Sequence, residues 1–152
     1  PTVPAESMVA NLNVDMFLPL FPLHAVIGFG ADESDLGDLL RVKAAALGIE
    51  VLPDPAPNRN LFVRSDQYSF IRRGVPALAV TTAAKPGSPE ERIQREWLHT
   101  RYPAPSDDVN QPVDFTAADR FNRLIAELAR SVADRDQRPR WHDASFFRRF
   151  AK

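Results

Sequence analysis

The side chains in this sequence that can do acid–base or metal chemistry are few and widely spaced. Asp15 lies near the end of "MVANLNVDMF", a stretch whose apolar residues Val9, Leu12, Val14 and Met16 alternate as in a strand. In an open α/β sheet, ligands bind beyond the carboxyl ends of strands, so an acid there is a candidate metal ligand or base. Its plainer role is a strand-end aspartate that caps a turn. Ser65 and Asp66, in "RSDQYSF", stand where a helix begins. Either can be the N-cap, and the chemical alternative is an Asp66 carboxylate facing a cleft. His24, His99 and His142 are the only histidines, and no two are spaced i, i+4, so no single helix carries a metal-binding pair. His24 opens an apolar run as a partly exposed residue. His142 sits beside Trp141, where packing is its expected role. Asp107 and Asp108 follow a Pro-x-Pro turn. Adjacent carboxylates can share a metal or hold a lysine, and more often one of them closes a turn.

Other chemistries are excluded outright. The chain has no cysteine, hence no disulfide, no thiolate ligand and no cysteine nucleophile. No Gly-x-Ser-x-Gly elbow and no phosphate-cradling glycine loop occur. The formal net charge of −1 gives no field for nucleic acid and no handle for an anionic membrane. No apolar run approaches the roughly 20 residues needed to span a bilayer.

These side chains need a scaffold, and 152 residues, 44% of them hydrophobic, suit one domain with a real core. Strands are expected over Met8–Phe17, His24–Gly30, Ile49–Pro53 and Val75–Thr82, the last apolar almost throughout and therefore central. Helices are expected over Asp32–Gly48, with acids in its first turn and Gly48 as C-cap, and over Arg64–Gly74. The clearest helix is Thr116–Asp136, where Phe121, Leu124, Ile125, Leu128 and Val132 recur at helical spacing and Thr116 fits an N-cap. "PEERIQREW" reads as a solvated helix, and "HTRYPAPSDDVNQP" (His99–Pro112) as a loop. The tail is expected to pack Trp141, Phe146, Phe147 and Phe150 onto the body. Strands alternating with helices predict an α/β fold with a small, mostly parallel sheet of about four strands, a partial three-layer αβα sandwich. So small a sheet, begun with no helix before its first strand, fits half of a larger fold. Its unpaired edge would invite self-association.

Three stretches, "VANLNVDMF", "RSDQYSFIRRGVPAL" and "RYPAPSDDVNQPVDFTAADRF", in this order and at these distances, resemble the C-terminal half of the M28 family of zinc-dependent aminopeptidases and carboxypeptidases, with members carrying a protease-associated domain as the nearest type. The resemblance covers roughly residues 3–150 and implies that the parent hydrolyses terminal peptide bonds of a peptide substrate. It implies two zinc ions about 3.5–4 Å apart that acidify a shared water; the sequence does not fix the compartment, a periplasmic or secreted parent being one option. Asp15 matches a zinc-ligating aspartate. Asp66 matches the aspartate of a Ser-Asp-His stretch lining the pocket, with Gln67 in place of the histidine. The family's last histidine ligand follows a tyrosine, and here that position is Pro103, which has no side-chain donor or acceptor. His99 is the only nearby substitute. It lies four residues earlier, an offset of about 6 Å if helical and about 13 Å if extended. The His-x-Asp segment and the Glu-Glu pair of the family's N-terminal half have no counterpart, and Glu90 and Glu91 lie out of order. The expectation is that residues 1–152 form the C-terminal portion of a peptidase domain, hold no zinc stably and are catalytically silent alone. The alternative is a non-catalytic M28-like binding module that has lost its metals.

Overall fold

The computed structural model describes residues 3–151, apart from the side chain of Ala5. Four strands, β1 (Asn11–Asn13), β2 (Ala25–Phe29), β3 (Glu50–Leu52) and β4 (Ala77–Ala83), form one open sheet in the order β1-β4-β2-β3. β1 runs parallel to β4, with Asn13 opposite Ala79, and β2 runs parallel to β3. The middle pairing, β2 with β4, is antiparallel. The sheet is therefore mixed, with parallel pairs flanking one antiparallel seam. β1 is shorter than the pattern suggested, because alternation continues past Asn13 while the backbone turns away: Met16 has φ of 50° and is exposed.

One face of the sheet carries the main core. Leu78 and Val80 of β4 and Val26 of β2 pack against α1 (Asp35–Ala46) and the last long helix, Phe115–Ala133. That last helix buries Ala117, Phe121, Leu124, Leu128 and Val132 on one stripe, the spacing that makes a helix amphipathic. Its N-cap is Asp114, whose side chain accepts from the Ala117 amide at 2.9 Å, rather than the expected Thr116. Aspartate and threonine both cap well, and only the path of the chain decides between neighbours two residues apart. Arg120 spans the interface. Its guanidinium donates to the Leu23 carbonyl at 2.8 Å and to the Leu47 carbonyl at 2.9 Å. Leu47 is the C-cap of α1, so the cation satisfies a carbonyl at the negative end of that helix.

The opposite face is thinner. α2 (Gln67–Ile71) places Ile71 against Ala77, and the C-terminal segment adds Trp141, with Phe62, Phe147 and Phe150 packed around them. Helices on one side and α2 with the tail on the other give the three-layer αβα arrangement. Phe146 departs from expectation: it is 57% exposed, with the Arg149 guanidinium carbon 3.5 Å from its ring centroid. α3 (Pro89–Thr100) precedes the Phe115–Ala133 helix, hereafter α4, and buries Trp97 with Leu20 and Phe21. α3 extends into the presumed loop, so His99 and Thr100 are helical. None of the described helices is long and apolar enough to cross a membrane.

Gly37, inside α1, looks unfavourable by helix propensity, yet α1 needs it. A Cβ there would fall 1.8 Å from the Ala31 carbonyl oxygen. Gly37→Ala is expected to lower stability in urea unfolding by about 1–3 kcal/mol, overriding its propensity gain. Gly48→Ala, where φ is +65° and no atom lies within 4 Å, should cost only about 1 kcal/mol. Equal losses at the two positions would refute the close-approach account.

Candidate functional site

A cavity of about 330 Å³ opens on the thin face of the sheet. Its floor is Phe29 of β2 and the stretch 79–81 of β4. One wall is the exit of β1, with Asn13, Asp15 and Met16, and the other is the entry to α2, with Leu61, Arg64, Ser65 and Gln67. The floor is shallow because β4 alternates large and small residues. Leu78 and Val80 go to the main core, leaving alanines and a threonine on this face.

Asp15 lies just beyond the carboxyl end of β1 and is exposed. The Ser65 hydroxyl donates toward Asp15 Oδ2 at 3.4 Å, a long contact that leaves the carboxylate accessible. The two walls are joined by a buried amide pair. Gln67, 1% exposed, accepts from Asn13 Nδ2 at 2.8 Å and donates from Nε2 to the Phe62 carbonyl at 2.8 Å. Phe62 in turn lies against Gly30: φ there is +83°, and a Cβ would meet the Phe62 ring at 2.2 Å. Gln67 therefore acts as a tie between strand and helix, a role its sequence position did not disclose. The available signal was its place between Asp66 and an apolar helix turn.

The remaining candidates fall elsewhere. Asp66 is the N-cap of α2, exposed and without a side-chain capping bond, next to Ser65 on the cavity wall. His99 lies exposed in the last turn of α3 and Pro103 in the turn that follows; neither lines the cavity. Asp108 accepts from the Asn110 amide at 2.8 Å and Asp107 from Gln111 Nε2 at 3.1 Å, so both close the turn. Glu90 and Glu91 serve the start of α3. Ser88 accepts from the Glu91 amide and Glu91 from the Gly87 amide, a reciprocal cap. Backbone amide bonds, at Glu90's own amide and at Gly87 respectively, hold both carboxyls below the usual glutamate range. His24 faces a second cavity, of about 300 Å³, with Glu50, Lys85 and Glu90. Lys85 pairs there with Glu50 at 2.5 Å.

The donor set at Asp15 does not fit a pair of zinc ions. It offers one carboxylate, two hydroxyls, two neutral amides and the Arg64 cation, whereas such sites need several histidines and carboxylates. Among the described residues, no three His, Cys, Asp or Glu side chains come together as a metal-holding group. The cavity's own chemistry is that of an open anionic hydrogen-bond acceptor beside neutral donors and a cation.

Because Gln67 satisfies partners on both walls, Gln67→Leu is expected to lower stability by about 1–3 kcal/mol in urea unfolding, through the buried polar groups it strands. A loss below about 0.5 kcal/mol, within the range of an ordinary surface substitution, would count against the tie.

The model of peptidase family M28 matches residues 2–129. No curated protein and no solved structure matches the chain. The match includes β1 with Asp15, the Ser65–Gln67 wall, β4, α3 and most of α4, and on that extent the chain belongs to peptidase family M28.

Proposed function

We propose that this chain is the C-terminal portion of an exopeptidase whose intact parent hydrolyses terminal peptide bonds with zinc, and that Asp15 is the one zinc ligand it contributes. The observation that carries this reading is the placement of Asp15 in an M28 family chain: an accessible carboxylate past the end of β1, on the rim of a cavity floored by the central strand. That is where open α/β sheets bind ligands. One carboxylate among neutral donors needs histidines and carboxylates from other parts of the parent to complete a metal site. Asp66, beside Ser65 at the entry to α2, shapes the approach of a peptide.

A second reading has its own support. Gln67 is fully engaged in joining the cavity walls, and Pro103 stands where the resemblance places a ligand. Both suit a domain that has given up metals and uses the cavity for non-catalytic binding.

Calorimetric titration of zinc into the intact parent separates the two. Two tight sites support the exopeptidase, and none supports the binding module. Under the first reading, Asp15→Asn lowers zinc affinity by at least about tenfold, since even partners one step removed from a metal matter that much. Pro103→His in the parent is expected to raise zinc affinity. No gain in bound zinc would show that Pro103 does not occupy a ligand position.

A further inference from the structure

The imidazole of His142 lies between two oxygen acceptors, Nδ1 being 3.0 Å from the Asp32 carbonyl and Nε2 3.0 Å from Asp38 Oδ2. A carbonyl and an ionised carboxylate can only accept. A neutral ring has one N–H and satisfies one of them, whereas the imidazolium satisfies both. The ring is the outermost of several ties between the C-terminal segment and the start of α1. The His142 amide donates to the Glu33 carbonyl at 2.9 Å, and the Asp35 amide to the Arg140 carbonyl at 3.1 Å. Ser34 and Trp141 form an isolated antiparallel bridge.

We propose that His142 is a proton-operated clasp: its doubly protonated ring closes the segment 135–151 onto the start of α1, and loss of one proton loosens that segment from the cavity wall bearing Ser65 and Gln67. The path between clasp and cavity is continuous. Trp141 packs with Ile71 of α2 and donates from its indole to the Gly74 carbonyl at 3.1 Å. Phe147 meets Phe62 edge-on, with ring centroids 5.3 Å apart. The Phe62 carbonyl holds Gln67. The inference stands apart from the peptidase reading, because it concerns how the wall is held and not what the cavity binds.

The charges facing the ring favour its cationic form. From the loop before α1 come Asp32, paired with Arg41, and Glu33, which accepts from Ser145 at 2.5 Å. From α1 come Asp35, Asp38 and Arg41, the last 3.3 Å from Asp38. From the C-terminal segment come Arg135, paired with Asp35 at 2.9 Å, Arg140, whose amide donates to Asp35, and the Asp143–Arg148 pair. The hydrogen bond to the Asp32 carbonyl raises the His142 pKa above the usual histidine value. Burial opposes this as the next largest effect, and the bond to Asp38 and the charges of Asp38 and Asp35 add to the rise. A pKa raised on folding means the clasp contributes fully below the unfolded value of about 6.5 and is lost as pH rises through the raised value.

NMR on the full chain tests this. The His142 ring is expected to titrate above the ordinary histidine value of about 6.5. Protection of the His142 and Asp35 amides from hydrogen exchange should fall by about tenfold through the same midpoint, the weight of a charge-assisted bond, while Leu124 in α4 stays protected. Asp38→Asn should move the midpoint down, and His142→Gln should give protection that is low and independent of pH. A ring that titrates at or below that ordinary value, or protection that ignores its titration, overturns the clasp.

Discussion

The architecture depends on β4 having two unlike faces. Side chains alternate across a strand, and in β4 Leu78 and Val80 point into the core with α1 and α4 while Ala77 packs with Ile71 and Trp141 on the other side. The large residues anchor the stable layer. The small ones leave the second layer close to the backbone and open a cavity where neither α2 nor the C-terminal segment covers the sheet. A one-residue slip of β4 would exchange these roles, burying alanines under α4 and filling the cavity.

The two walls of the cavity are joined to each other by a polar contact. Asn13, Gln67 and the Phe62 carbonyl form a short, partly buried chain in which the first bond fixes one wall against the other and the second anchors Gln67 within its own wall. In a low-dielectric setting such a chain is stiff when every member is satisfied and costly when one is not. Asp15 sits outside it, weakly held by Ser65, and so remains available to a partner. Local geometry thus separates two residues of the cavity: Gln67 ties its walls, and Asp15 lies exposed at its lining.

Most of the fold was legible because it rests on local rules. The stripe from Phe121 to Val132, the acids opening α1, and the apolar run of β4 each report a period or a cap that needs no distant partner. Errors arose where distant contacts decide. Thr116 and Asp114 are equivalent caps locally, and the descent of Pro19 beside α4, whose carbonyl accepts from the Asp114 amide at 2.7 Å, selects Asp114. Gly37 is required within α1 only because the Ala31 carbonyl comes against it. His142 read as a packing residue because its two acceptors, Asp32 and Asp38, lie more than a hundred positions earlier in the chain.

By itself, the sequence determined the class of fold and the order of its elements, because periodicity and caps are properties of single positions or short windows. Only the tertiary structure decided that the sheet carries an antiparallel seam, that Gln67 ties two walls, that Asp66 stands beside the cavity rather than in its lining, and that His142 has two acceptors. Those are facts about which groups meet across long separations. They depend on how the chain returns to itself, which no local pattern encodes.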